Sequence, residues 1–154
     1  MPATNPAATD ALLTCQANNL VFYQSVRAYH WMVPGHVFFT LHEQFEQLYT
    51  SLTTSGDEIA ERLLTVGATP VLTLSDAVAK ATIAEVSPNA WTPDQMVQGA
   101  IDGLGQLLES FHSAANAADE AGDRGTVALL EDLIQQVEKR RWMFQAYLGS
   151  NPAG

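Results

Sequence analysis

One long stripe of apolar residues constrains the fold of this 154-residue chain more than any other feature. It consists of Leu41, Phe45, Leu48, Leu52, Ile59, Leu63 and Val66. Their steps of 4, 3, 4, 7, 4 and 3 residues place them on one face of a helix of about seven turns. Gly67 supplies a helix stop, and Pro70 follows it. Because only one face is apolar, this helix must pack against other helices.

A second long helix is predicted to precede it, from Asp10 to Met32. Thr9 or Asp10 can cap its start, since a short side-chain oxygen accepts a hydrogen bond from an unpaired N–H group there. The apolar residues of this helix cover more than one face, which predicts partners on two sides. Pro34 and Gly35 then break the chain.

The third long helix is predicted to begin after Thr92. Thr92 suits the cap, Pro93 suits the first helical position, and Gln95 completes a capping box. Three glycines lower its intrinsic helix propensity by about 1 kcal/mol each relative to alanine. They predict the close approach of another helix, and they are Gly99, Gly103 and Gly105.

The fourth long helix is predicted after a turn at 122–125, and it ends at Gly149. The connection between the second and third long helices, residues 68–91, is too long for a bare loop. Within it, the stretch from Ser75 to Ala81 predicts a short helix capped by Ser75. This order of elements predicts an all-α fold, a ferritin-like four-helix bundle with a short helix in the long crossover between helices 2 and 3.

Length and composition limit the alternatives. The length fits one domain, so we expect a bundle over 10–149, a short flexible tail over 1–9 and a short tail over 150–154. An apolar fraction of 47% excludes wholesale disorder. We expect neither a secretory signal nor a membrane span, and the single Cys15 excludes an internal disulfide, so the chain suits the cytoplasm. The net charge of −10 favours cations as partners over nucleic acid.

Two histidines and two carboxylates suggest a metal site. His30 lies near the end of the first helix and His42 near the start of the second, so an antiparallel hairpin lets their imidazoles face each other. Asp57 and Glu61 are four residues apart on one helical face, where two carboxylates repel unless a cation lies between them. Imidazole and carboxylate together suit Fe(II), Mn(II), Co(II) or Zn(II). The alternative is two core histidines and an exposed acidic pair.

Geometry decides how these residues can meet. His42 and Asp57 are 15 residues apart on one helix, so roughly 22 Å of helix axis separates them. They cannot bind one ion within one chain, although an angular offset of about 60° leaves them on similar sides. Antiparallel pairing of two copies about a two-fold axis brings the His42 end of one copy to the Asp57 end of the other. We infer an intersubunit site, with His30 and His42 from one chain and Asp57 and Glu61 from its mate.

Three stretches carry a resemblance to a known family. They are 28–35 (AYHWMVPG), 38–45 (FFTLHEQF) and 57–62 (DEIAER), with the spacing His-x11-His-x14-Asp-x3-Glu. The chain resembles the Dps family, the DNA-protecting proteins from starved cells or mini-ferritins, over nearly its whole length. The resemblance implies a hollow shell of twelve subunits built from two-fold dimers. It also implies oxidation of Fe(II) with hydrogen peroxide or O2, storage of Fe(III) mineral and protection against oxidative stress.

The resemblance also implies roles for individual residues. The catalytic ferroxidase ligands of the family match His30, His42, Asp57 and Glu61. Glu46, four residues after His42, matches an acidic position that helps hold a second iron. Trp31 matches a tryptophan beside that centre that can intercept radicals; the alternative, which the position of an aromatic at a helix end favours, is a packing residue that happens to lie near the metal.

Weaker candidates lie outside this set. Two further histidines are His36, where the family commonly has proline, and His112, beside the core stripe of the third helix. One hypothesis is that they add metal ligands and shift the metal preference toward zinc. The alternative is that they are ordinary loop and surface histidines. Four acidic residues are candidates for lining a pore through which iron enters, with an ordinary solvated surface as the alternative. They are Glu120, Asp123, Glu131 and Asp132.

Two other functions compete with a ferroxidase and iron store. A DNA-binding structural protein of the nucleoid needs Lys or Arg to neutralise phosphates, yet the first basic residue is Arg27 and residues 149–154 contain none. DNA binding is therefore not expected. A zinc or other divalent-metal buffer without redox turnover remains open, because the same ligands accept Zn(II).

Overall fold

The computed structural model describes residues 5–150, and within that range the chain forms five α-helices and no strand. They are α1 (Pro6–Met32), α2 (Phe38–Thr65), α3 (Leu74–Lys80), α4 (Pro93–Glu120) and α5 (Arg124–Tyr147). α1 packs against α2, α4 and the short α3, while α5 packs along α4 and touches α2. The all-α four-helix bundle with a short crossover helix is thereby confirmed.

The start of α4 agrees with the sequence prediction in every detail, whereas the start of α1 does not. The Thr92 hydroxyl accepts from the Gln95 backbone N–H, and the Gln95 side chain accepts from the Thr92 N–H. α1, however, begins at Pro6 rather than Asp10. The Asn5 side chain accepts from the N–H groups of two residues in the first turn, and Pro6 occupies the first helical position. Of the two expected tails, residues 1–4 and 151–154 lie outside the described range.

The cap of the crossover helix is also different from the prediction. α3 begins at Leu74, and the Thr73 hydroxyl, not Ser75, accepts from the Asp76 backbone N–H at 3.2 Å. Ser75 lies inside the first turn instead. Two threonine or serine candidates two residues apart compete for such a cap. The extended backbone of Thr73 gives that residue the capping geometry.

α1 is the central element of the bundle. It buries residues on several faces, as its pattern predicted, and the run from Cys15 to Asn19 is buried without interruption. The stripe of α2 is buried over six of its seven positions, from Leu41 to Leu63. An aromatic cluster of Tyr29, Phe45 and Trp91 fills the end of the bundle where α1 meets α2. Each such ring removes a large apolar area from water.

Buried amides on α1 hold the neighbouring segments in place. The Gln16 side chain donates to the Val71 carbonyl at 3.1 Å and accepts from the Val71 N–H at 2.7 Å. The Asn18 carbonyl oxygen accepts from the backbone N–H of Thr82 at 2.7 Å. Asn19 donates to the Ser55 hydroxyl at 2.8 Å and so links α1 to the middle of α2. Since a buried amide is costly unless it is hydrogen-bonded, these contacts fix the register of α1 against both partners.

The glycines of α4 permit close helix packing, as expected. A Cβ atom on Gly103 would lie 2.1 Å from the Phe22 ring of α1, and one on Gly99 would lie 2.4 Å from the Tyr29 hydroxyl. Gly105 instead faces the flexible guanidinium of Arg141, at 3.2 Å. Two of the three glycines therefore make room for aromatic rings of α1.

Cys15 is fully buried, and its thiol donates to the Ser110 carbonyl of α4 at 3.2 Å. Burial raises the pKa of the Cys15 thiol to about 12, so it remains protonated near neutral pH and is a poor metal ligand. Across residues 5–150, no helix is both long enough and apolar enough to cross a membrane.

We expect Gly103→Ala to lower the thermal unfolding midpoint, because the new methyl group would collide with the Phe22 ring. The clash should cost about 1–3 kcal/mol, which exceeds the gain of about 1 kcal/mol in helix propensity. Gly105→Ala is the matched control, since Arg141 needs to shift by only a few tenths of an ångström and can keep its hydrogen bond to the Ile101 carbonyl, so the midpoint of this variant should stay level or rise. A Gly103→Ala protein as stable as the Gly105→Ala protein would contradict this packing argument.

Candidate metal centre

The two histidines predicted to face each other are in direct contact. The His30 and His42 rings stack with centroids 3.7 Å apart and an interplanar angle of 16°. His30 is buried, whereas His42 is partly exposed. Phe38 stacks on the outer side of His42 at 4.6 Å. The pair thus lies at the end of the α1–α2 hairpin with one side open to solvent.

Reciprocal hydrogen bonds fix both rings. His30 Nδ1 donates to the His42 carbonyl at 2.7 Å, and His42 Nδ1 donates to the His30 carbonyl at 2.8 Å. A carbonyl oxygen can only accept, so each Nδ1 carries the proton. In the neutral tautomer that this arrangement selects, the proton is on Nδ1 and the lone pair of Nε2 can bind a metal ion. A backbone carbonyl on the other ring nitrogen is the usual support for a metal-binding histidine.

Pro34 explains why the His30 carbonyl is free to accept. In a continuing helix, the N–H group four residues later would donate to it, but proline has no N–H. Val33 still closes the turn by donating to the Tyr29 carbonyl at 3.0 Å. The His42 imidazole supplies the donor that Pro34 lacks. Pro34 thus both ends α1 and orients the His42 ring.

The predicted acidic pair lies far from the histidines of its own chain. Asp57 and Glu61 lie on successive turns of α2, and both side chains are exposed. The helix is unbroken between His42 and Asp57, so the separation of roughly 22 Å along the axis holds. Within the described part of the chain, no three His, Cys, Asp or Glu side chains gather closely enough to hold a metal ion. One chain alone provides two halves of a site at opposite ends of α2.

Glu46 and Trp31 lie beside the histidine pair. Glu46 is exposed one turn after His42, and its Oε1 accepts from the Tyr49 hydroxyl at 3.3 Å. Trp31 follows His30 directly, and 53% of its surface is exposed. The Arg27 guanidinium lies over the Trp31 ring, 4.7 Å from its centroid. Trp31 is therefore a surface residue of the isolated chain rather than part of its core.

The two additional histidines are not brought together with the pair. His36 is exposed in the turn between α1 and α2. His112 is exposed on α4, close to Ser110, which contacts Cys15. Cys15 lies 15 residues before His30 on α1, so roughly 22 Å of helix axis separates Cys15 from His30. His112 lies at the same end of the bundle as Cys15. His112 therefore cannot join the histidine pair of its own chain.

Three of the four acidic pore candidates are exposed, and the fourth is engaged within the chain. Asp123 caps α5 by accepting from the Thr126 N–H, and it also accepts from the Thr126 hydroxyl and the Arg62 guanidinium. Burial alone would raise the pKa of Asp123, but these hydrogen bonds and the Arg62 charge lower it. Its carboxylate thus holds the α4–α5 turn to α2. The exposed three are Glu120, Glu131 and Asp132.

The family model, the relatives and the solved structures that match this chain all point to ferritin-like proteins. The family model described as a ferritin-like domain matches residues 9–151. General stress protein 20U of Bacillus subtilis is 41% identical over 86% of this chain and 91% of its own length. The DNA protection during starvation protein of Listeria monocytogenes is 34% identical over 99% of both chains. Dps from Vibrio cholerae O1, described as a member of the ferritin-like diiron-carboxylate proteins, superposes with a TM-score of 0.90 at 36% identity, covering 96% of this chain and 98% of its own.

Replacing His42 by alanine should destabilise the metal-free protein, because the His30 carbonyl loses its donor and the His30 ring loses its stacking partner. We expect a loss of about 1–3 kcal/mol in unfolding free energy, measured by denaturant titration in the presence of a chelator. His36→Ala is the control, since His36 is exposed in the turn, and it should change little. Equal effects of the two substitutions would argue against the reciprocal hydrogen bonds.

Proposed function

This chain belongs to the Dps family of the ferritin-like superfamily, and from that premise we propose that it oxidises Fe(II) and stores the Fe(III) product. The oxidation takes place at sites formed between two subunits, with hydrogen peroxide or O2 as oxidant. The stored mineral fills a hollow shell of twelve subunits built from two-fold dimers. The protein thereby protects the cell against iron and peroxide.

The observation that carries the proposal is the fixed histidine pair. Because each Nδ1 donates to a backbone carbonyl, His30 and His42 present Nε2 as a base without any rearrangement. Two nitrogen ligands alone leave most coordination positions of a divalent ion unfilled. Those positions suit the carboxylates of a second chain, an oxidant and water.

The partner subunit completes the site. Antiparallel packing of two α2 helices about a two-fold axis brings Asp57 and Glu61 of one subunit to the histidine pair of the other, twice per dimer. The surface beside Asp57 leaves room for such packing, since a groove of about 600 Å³ there combines apolar Leu20 and Leu52 with polar side chains such as Thr53. On α3 the side chains of Leu74 and Val78 are exposed, although both are apolar. A second copy covers this surface in the proposed dimer.

The proposed reaction balances with two substrate ions. Each of two Fe(II) ions loses one electron, and hydrogen peroxide accepts both as its O–O bond breaks. Two water molecules form with the uptake of two protons. With O2 as oxidant, the same two electrons and two protons give hydrogen peroxide. His30, His42, Asp57 and Glu61 hold the first substrate ion, and Glu46 helps to hold the second.

The acidity of the chain supports delivery of iron. A shell of subunits that each carry a net charge of −10 attracts cations from solution. We assign the lining of an iron pore to Glu120, Glu131 and Asp132, which are exposed on α4 and α5. Asp123 is left out of this lining, because its carboxylate already pairs with Arg62.

Zn(II) or another divalent ion competes for the same ligands. Two solved structures are of Dps from Listeria innocua soaked with zinc and with cobalt, and they are 33% and 32% identical in sequence to this chain. Histidine and carboxylate ligands accept both ions. A divalent-metal buffer without redox turnover is therefore the second candidate function.

Asp57→Ala should slow Fe(II) oxidation by at least about tenfold, since the substitution removes a ligand from every site of the assembly. The measurement is anaerobic loading of metal-free protein with Fe(II), followed by addition of peroxide and recording of Fe(III) absorbance. Glu58→Ala is the control, because it removes the same charge from the neighbouring exposed position. Equally fast oxidation by both variants would exclude Asp57 as a ligand, and slow oxidation by the unmodified protein would favour the metal buffer.

We expect no appreciable DNA binding, because a net charge of −10 repels the phosphate backbone. Protection of DNA would then follow from the removal of iron and peroxide. The measurement is a gel shift at near-neutral pH and low salt, because low salt makes electrostatic binding to DNA strongest. Tight retardation of the DNA under these conditions would refute this part of the proposal.

A further inference from the structure

Tyr49 contacts two of the proposed metal ligands at once. Its ring packs perpendicular to the His30 ring, with centroids 5.2 Å apart and planes at 86°. Its hydroxyl donates to Glu46 Oε1 at 3.3 Å. Tyr49 thus connects the buried histidine of α1 with the exposed carboxylate of α2.

The Tyr49 ring is itself held by its surroundings. Tyr23 packs edge-on against it, with centroids 5.9 Å apart and planes at 88°. The Arg27 guanidinium lies 5.9 Å from the centroid of Tyr49 and also covers Tyr23 and Trp31, at 5.4 and 4.7 Å. A cation over aromatic faces is attracted by their negative potential. Contacts from Tyr23, Arg27 and His30 therefore restrict where the Tyr49 hydroxyl can lie.

Glu46 needs such a support if it is to bind an ion. It is an exposed, flexible side chain one turn after His42, and within residues 5–150 the hydroxyl of Tyr49 is its hydrogen-bond donor. A free glutamate must lose its rotamer freedom each time it binds. A carboxylate already oriented by a second group loses less, and hydrogen bonds to metal-binding carboxylates commonly serve this purpose.

We propose that Tyr49 is a positioning residue that orients Glu46 toward the second metal ion. This inference rests on the proposed function, in which Glu46 helps to hold that ion. Tyr49 does not bind the metal in this account. It acts through the hydrogen bond from its hydroxyl, while its ring keeps its place against His30.

The test is an anaerobic titration of the assembled protein with Co(II), monitored by calorimetry and by visible absorbance. We expect Tyr49→Phe to weaken the second Co(II) by about tenfold and to leave the first within about twofold. Tyr147→Phe is the control, since it also removes one hydroxyl from a partly exposed tyrosine but changes the end of α5 rather than the proposed site or the groove beside Asp57. In Fe(II) oxidation, Tyr49→Phe should raise the half-saturating iron concentration more than it lowers the maximal rate.

A double-substitution cycle separates this role from general packing. In a Glu46→Gln background, Tyr49→Phe should cause no further loss of second-site affinity, because the hydroxyl acts through the carboxylate. Unchanged Co(II) binding by Tyr49→Phe, or an equal loss in both backgrounds, would overturn the proposal. If Glu46→Gln itself leaves the second Co(II) unaffected, Glu46 is not a ligand and the proposal also falls. The proposed function would then still be tested separately, by the rate of Fe(II) oxidation in the Asp57→Ala variant.

Discussion

The reciprocal hydrogen bonds between His30 and His42 are the interaction on which the rest of the site depends. They arise because Pro34 leaves the His30 carbonyl without a helical donor at the point where α1 ends. The His42 imidazole then supplies the donor that Pro34 lacks, while the His30 imidazole donates in addition to the His42 carbonyl inside α2. The same bonds put the proton on Nδ1 of each ring, so a structural requirement of the turn leaves both Nε2 atoms available to a metal ion.

The length of α2 turns this local arrangement into a requirement for assembly. A straight helix holds His42 and Asp57 roughly 22 Å apart, and buried contacts such as Asn19 to Ser55 keep α2 in register with α1. No adjustment of side chains can close such a gap within one chain. Two copies related by a two-fold axis close it twice, which couples the proposed ferroxidase chemistry to the formation of the dimer.

Short spacings in the sequence predicted part of the fold and of the site, but two helix caps with several nearby candidates and one contact between distant residues were missed. The capping box at Thr92 and the stacked histidine pair follow from short spacings, and both are present in the structure. The sequence did not predict the helix caps at Asn5 and Thr73 or the hydrogen bonds of Gln16 to the crossover segment. Gln16 gives no signal in sequence, because its partner lies 55 residues away. The tautomer of the histidines likewise depends on where two carbonyls point, although Pro34 four residues after His30 was a usable hint.

The most direct test of the shared site is complementation between two defective chains. His42→Ala and Asp57→Ala subunits are each expected to oxidise Fe(II) slowly when assembled alone. In a mixed dimer, one of the two sites receives the intact histidines of one chain and the intact carboxylates of the other. Half of randomly formed dimers are mixed, so co-assembled shells should recover about a quarter of the active sites. Recovery of that size in the peroxide assay is the predicted result, and no recovery from well-formed mixed shells would contradict a site built between subunits.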